Sequence, residues 1–328
     1  MTLSLSLACQ DTDRTRAILD GRIGVDGCRL DIVTAPAEEI FQRAFRHREF
    51  DVSELSLSSH LITTARGESA YIAVPAFVSR AFRHASIYVR KDRGIEVPAD
   101  LRGRRIGVPD FQQTAGVWVR GILADEYGVE RHEIEWVTGG LEQPGRSVRV
   151  PLKLPPNLSV TPIGPEDTLS ALLGDGKIDA IIAPRSPSCF GRNPDVRRLF
   201  QDTRHAEAAY FEKTGLFPLM HTIGIRRELV ERHPWLPVNI YKAFRRALSL
   251  AVTELRALDT VKVAHPWIGD EVERIVQLMG DDYWRYGIDN NRNELDALIR
   301  YSLADGLIDR PIDLDELFAR TTFQEFNF

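Results

Sequence analysis

The chain predicts an α/β protein of two lobes. Apolar strands alternate with amphipathic helices along the first ninety residues, the rhythm of parallel strands joined by crossover helices. A second strand–helix series follows without repeating the first. At 328 residues the chain is long enough for about two domains. Lobe one is expected from residues 1–88 plus 215–328, because the closing helices need a partner sheet. Lobe two is expected as an insertion over 89–214. Such lobes face one another across a cleft, and open α/β sheets present ligands at the carboxyl ends of their strands.

Each element rests on a local pattern. "LSLSLACQ" (3–10) alternates apolar and polar residues as a half-buried strand does. Asp11 or Thr12 can cap the helix that follows and ends near Gly21. "CRLDIVTA" (28–35) reads as a strand, "AEEIFQRAFRHREF" as an amphipathic helix and "DVSELSL" as a strand again. "ASIYVRK" (85–91), "RRIGV", "IEWV" and "GKIDAIIAP" supply further strands, with helical "EDTLSALLGDG" between the last two. The stretch 140–162, rich in Pro and Gly, is a loop or insertion. "MHTIGIRREL" (220–229) is a strand entering a helix, and "WLPVNIYKAFRRALSLAVTELRAL" is a long amphipathic helix.

Composition excludes several classes. With 42 basic and 47 acidic residues the net charge is −5, so no basic excess advertises nucleic acid or an anionic membrane. Only six of the basic residues are lysines, a bias that fits codon usage or carboxylate recognition by planar guanidinium groups. Cys9, Cys28 and Cys189 are scattered, without disulfide or zinc spacing. The N-terminus carries no basic n-region or sustained apolar core, and no stretch reaches the length of a membrane span. A soluble cytoplasmic protein is the expectation, a homo-oligomer being compatible with it.

"FDVSELSLSSHL", "VPAFVSRAFRHASIYVRKDRGI", "DLRGRRIGVPDFQQTAGVWVRGILADEYGV" and "MHTIGIRREL" together resemble the 4,5-dihydroxyphthalate decarboxylase family. The resemblance runs over nearly the whole chain. It implies the type 2 periplasmic-binding-protein-like fold, with a ligand cleft between two α/β lobes and lobe one built from both chain ends. It also implies removal of one carboxylate from 4,5-dihydroxyphthalate to give protocatechuate. His60 stands where the family would more often place an aromatic residue.

The candidate site residues lie mostly at carboxyl ends of strands. In "VPDFQQTAG" (108–116) a helix begins near Gln113 or Thr114. Its unpaired N–H groups and positive dipole end suit a carboxylate, with Gln112 and Thr114 as side-chain donors; a plain cap by Thr114 is the alternative. Arg80, Arg83 and His84 cluster in "VSRAFRHAS". Strand alternation lets only some face the cleft, Arg80 and His84 being preferred, with surface charge as the alternative. Arg185, after "KIDAIIAP", could clamp a ligand or merely follow a Pro turn. His221 is either a hinge-proximal catalytic group or a packed histidine. Ser58 and Ser59 serve as helix caps, anion donors or both.

The implied reaction needs no metal or cofactor: a ring oxygen pushes electrons, the ipso carbon takes a proton and CO₂ leaves. His84 or His221 would be acid or base, and Glu54 would orient a hydroxyl or a histidine. Ser58, Ser59, Arg80, Arg83, Gln112, Thr114 and Arg185 would hold the small aromatic carboxylate. The rival class is a non-enzymatic solute-binding protein serving a transporter or sensor.

Overall fold

The computed structural model describes residues 2–145 and 149–324. The chain divides into two compact units, the first of residues 1–80, 219–295 and 312–328, the second of 81–218 and 296–311. In the first, β1 (Leu3–Ala8), α1 (Asp13–Leu19), β2 (Cys28–Val33), α2 (Ala37–Gln42), β3 (Val52–Ser56), α3 (Leu57–Ala65) and β4 (Tyr71–Arg80) follow in order. The second holds β5 (Ile87–Arg90), β6 (Arg105–Val108), α4 (Thr114–Tyr127), β7 (Glu135–Thr138), β8 (Val160–Pro162), α5 (Leu169–Gly174), β9 (Ala180–Ile182), β10 (Val196–Arg198) and α6 (Thr203–Thr214). The first unit then resumes with β11 (Leu219–Arg226), α7 (Arg227–Arg232), α8 (Leu236–Arg256) and α9 (Ile268–Met279). The division falls again within α10 (Arg292–Ala304), and α11 (Leu314–Leu317) closes the first unit.

The first sheet has strand order β2-β1-β3-β11-β4. β1 runs parallel to β2 and β3, whereas β11 is antiparallel to β3 and β4. β3 is the central strand, so all five of its residues are buried. Ala8, Ile40, Phe41, Ala44, Phe50, Leu55 and Tyr71 fill the core on one side of it. Long α8 packs on α1. It buries Leu236, Ile240, Tyr241, Phe244, Ala247, Leu248 and Ala251, a spacing of three and four that keeps one helix face apolar. Each large side chain so buried stabilises the fold by about 1.5–3 kcal/mol.

The helix expected over 37–50 is shorter. It ends at Gln42, a wider π turn covers Arg43–His47, and Arg48 takes left-handed backbone (φ 51°). That reversal carries Phe50, 2% exposed, into the core. The expected strand over 85–91 starts later, because Glu207 accepts a hydrogen bond from the Ala85 N–H (3.2 Å) and 84–86 form a 3₁₀ turn.

The second sheet has order β10-β5-β9-β6-β7-β8, its right half parallel and β5 antiparallel to both neighbours. Tyr88, Val137, Leu169, Leu173, Ile178 and Ile181 form a core there. Residues 296–311 belong with this unit, not with the first as the sequence pattern suggests. The reason is side-chain chemistry on α10. Arg300 grips Asp125 through both carboxylate oxygens (2.9 and 2.6 Å), and the Tyr301 hydroxyl donates to the same group (2.7 Å). Asp305, fully buried, accepts from Arg120 Nε (2.8 Å) and Arg131 Nε (2.9 Å). Gly121 is required opposite Tyr301, whose ring occupies the space a Cβ would need. No helix among the described residues is long and apolar enough to cross a membrane.

Candidate active site

Central strands are ordinarily lined with aliphatic residues, yet β3 buries Ser53, Glu54 and Ser56 at 0–2% exposure. A carboxylate in that position is tolerable only if its oxygens are bonded. Both are: Glu54 Oε2 accepts from the Gln10 backbone N–H (2.8 Å), and Oε1 lies 2.6 Å from His221 Nδ1. Strand register brings the pair together. His221 stands opposite Ser56 and Ile223 opposite Glu54, so Glu54 and His221 are diagonal neighbours on one face of the sheet. The carboxylate is 2% exposed and the imidazole 18%, so of the pair the ring is the more open group. Phe41 holds the ring edge-on, with centroids 4.8 Å apart. With Nδ1 engaged by Glu54, Nε2 is the ring nitrogen left for proton exchange. Glu54 also acts on Cys9, whose thiol is pushed up first by burial and then by that negative charge, and so stays protonated.

Beyond Glu54 the strand passes into α3. Ser56 is the N-cap residue, so Ser58 and Ser59 are not the caps the sequence suggests but lie in the first helical turn. Their hydroxyls each lie 3.4 Å from Ser56 Oγ, and both residues are fully buried. His60 packs, as its position inside the helix implies. Its Nε2 meets the Leu317 carbonyl (3.0 Å), its Nδ1 the Ser69 hydroxyl (3.3 Å), and burial pulls its pKa down to about 4.

The cluster expected at 80–84 does not lie on one strand. β4 ends at Arg80, and His84 opens the 3₁₀ turn of the second unit, so strand alternation does not govern their directions. Arg80 is fully buried. Nη2 pairs with Glu294 Oε1 (2.9 Å), Nη1 donates to the Arg285 carbonyl (3.2 Å), and burial lowers its pKa to about 10. Arg83 is half-buried, its pKa also lowered to about 10, chiefly by burial and against the attraction of Glu207. His84 sits in an aromatic box, with ring centroids 5.0 Å from Phe200 and 5.2 Å from Tyr210. Neither ring nitrogen has a hydrogen-bond partner among the described residues, and burial pulls its pKa down to about 4.

In the second unit, Gln113 rather than Thr114 is the N-cap of α4. Gln112 and Thr114 flank it, both buried, and Gln112 Nε2 donates to the Val150 carbonyl (2.8 Å). Next to Val150, Arg149 is buried (8% exposed), a cation hidden from pattern reading by the irregular stretch around it. Arg185 is exposed in the loop after β9. Of the expected residues, then, the first unit brings Glu54 and His221 into direct contact and sets Ser58 and Ser59 beside Ser56 at the end of Glu54's strand. Sequence reasoning missed Gln10, whose backbone N–H holds Glu54, and nothing in an alternating strand pattern singles it out.

Two units of this topology define a periplasmic-binding-protein fold. The structure resembles a conserved Candida albicans gene product described as having the generic periplasmic-binding-protein fold (TM-score 0.54, 11% identity, 100% of this chain and 99% of that one). It also resembles the periplasmic aliphatic sulphonate binding protein of Escherichia coli (TM-score 0.53, 13% identity, 98% and 99%). No family model matches the sequence. Curated relatives narrow the assignment. A 4,5-dihydroxyphthalate decarboxylase of Comamonas testosteroni is 47% identical over 325 residues, covering 99% of this chain and 98% of that protein. Another, from Pseudomonas putida, is 48% identical over 210 residues, covering 64% of this chain and 81% of that one. The chain belongs to the 4,5-dihydroxyphthalate decarboxylase family.

Proposed function

We propose that this protein decarboxylates 4,5-dihydroxyphthalate to protocatechuate, with His221 as the proton-transfer group and Glu54 as its orienting partner. The observation that carries this reading is the 2.6 Å Glu54–His221 contact in a chain that matches a named decarboxylase end to end. Each carboxylate of the substrate is para to a ring hydroxyl. His221 Nε2 takes the hydroxyl proton and the oxygen pushes its electron pair toward the ring. The ipso carbon accepts a proton drawn from solvent, the carbon–carbon bond breaks, CO₂ departs, and aromaticity returns as a phenolate that the His221 imidazolium reprotonates. Net, one proton is consumed for each CO₂ released. Glu54 fixes the imidazole tautomer and stabilises the imidazolium formed in passing.

Ser58 and Ser59, in the first turn of α3, are proposed as hydroxyl donors to a carboxylate. Gln112 and Thr114 are proposed for the same chemistry at the head of α4. His84 and Arg80 are assigned to packing and to the Glu294 ion pair, since burial leaves the first neutral and the second already matched to an acid. The setting proposed is the breakdown of aromatic acids. The direct test incubates the purified protein with 4,5-dihydroxyphthalate and follows protocatechuate and CO₂. Turnover is expected. A thermal shift with no product would overturn the enzymatic reading in favour of a carboxylate-binding protein.

A further inference from the structure

Tyr286 is a buried polar group of the first unit that the proposed mechanism leaves unused. It is 6% exposed, and its hydroxyl has no hydrogen-bond partner among the described residues. Leaving such a group unmatched is unfavourable. The backbone around it is held on every side. The Gly287 N–H donates to the Pro75 carbonyl (2.9 Å), and Asn291 Nδ2 donates to the carbonyls of Gly287 (2.8 Å) and Arg285 (3.2 Å). Trp284 Nε1 donates to the Phe77 carbonyl (3.0 Å), under the guanidinium of Arg14, 4.2 Å from the indole centroid. A segment so tethered sets its phenol in one place.

That segment lies against β4, the strand paired with the one that carries His221. The segment docks on a wide bulge of β4. Between the pairs His221–Ser79 and Ile223–Val74, β11 contributes one residue and β4 four, Pro75 to Val78. The bulge therefore breaks the ladder immediately beside His221, and bulges of this kind re-aim side chains next to active sites. The charges acting on the phenol are those of Arg14, Asp13 and Glu54, with Cys9 beside them; burial outweighs all of them and keeps the hydroxyl protonated far above neutrality. Tyr286 is thus a fixed, neutral O–H donor. A ring hydroxyl suits that position, because it can accept from Tyr286 while giving its own proton to His221.

We propose that Tyr286 is a specificity-determining residue of this site, its O–H donating to a ring hydroxyl oxygen of the bound aromatic acid. The proposal rests on the site reading above, and its test separates the two. Binding of 4,5-dihydroxyphthalate and of phthalate, which lacks the ring hydroxyls, is measured by calorimetry for the parent protein and for Tyr286→Phe, with the free-protein melting temperature as a control. The parent is expected to prefer the hydroxylated acid. Tyr286→Phe should weaken that acid by about tenfold and leave phthalate unchanged. Its melting temperature should hold or rise, since an unmatched hydroxyl has been removed.

Equal weakening of both ligands, or a hydroxyl preference that survives in Tyr286→Phe, overturns the proposal while leaving the decarboxylase reading intact. So does a parent protein with no preference for ring hydroxyls. If the preference is lost as expected but the parent releases no CO₂, the Tyr286 contact stands and the catalytic reading falls.

Discussion

His221 and His84 invite comparison because both begin as equal candidates for the proton-transfer group. His221 lies on β11 and His84 in the 3₁₀ turn before β5, and each has aromatic rings for walls, Phe41 in one case and Phe200 with Tyr210 in the other. Their electrostatic situations are opposite. His221 has a buried carboxylate 2.6 Å from Nδ1 and a ring 18% exposed. His84 has no partner on either nitrogen among the described residues, and burial drives its pKa down to about 4. A histidine moves protons when something stabilises its charged form and something else can reach it. Neighbourhood in sequence supplies neither.

The largest effect should come from removing the imidazole at the matched position. His221→Asn is expected to lower decarboxylation by about a thousandfold, the usual range for losing general acid–base transfer. His84→Phe should leave the rate within about threefold, since it replaces one packed ring by another. Both are read from protocatechuate formed under saturating substrate. A reversal of the two, with His84→Phe inactive and His221→Asn competent, would break the distinction drawn here.

A smaller loss is expected at the partner. Glu54→Gln keeps the shape of the side chain but not its charge, so the imidazolium loses its stabilisation while substrate still binds. The rate should fall by about a hundredfold, mostly in kcat with KM nearly unchanged. A KM effect without a kcat effect would make Glu54 a binding group and move the acid–base role elsewhere.

The contrast was only half legible in the sequence. Alternation and helix periodicity locate β1, β3, β11 and α8, and in the run "VSELSLSSH" serines, an acid and a histidine crowd the passage from β3 into α3. The pairing of Glu54 with His221 was not derivable, because it depends on register between strands 167 positions apart and one slip would turn either side chain to the other face. The wide bulge in β4 is equally silent in an apolar run. Arg80 shows the reverse failure: an arginine beside a candidate site reads as a carboxylate clamp, and only tertiary structure supplies Glu294 from 214 residues away.

The smallest effect concerns acid stability, and it isolates His84. Its pKa falls from near 6.5 unfolded to about 4 folded. Between those values the unfolded chain binds the extra proton, so stability rises with pH across the window and is lost as pH drops from about 6.5 toward 4. At pH 4.5 the cost from this one residue is about 2–3 kcal/mol. His60, buried and shifted the same way, adds a parallel loss. His84→Phe abolishes the first term and leaves the second. Its denaturant midpoint should match the parent near pH 7, where both side chains are neutral, and exceed it by a growing margin below pH 6. A parent and variant whose midpoints decline in parallel would mean that His84 is charged in the folded protein. It would then have to hold a counter-ion that its aromatic walls do not supply, and the difference from His221 would vanish.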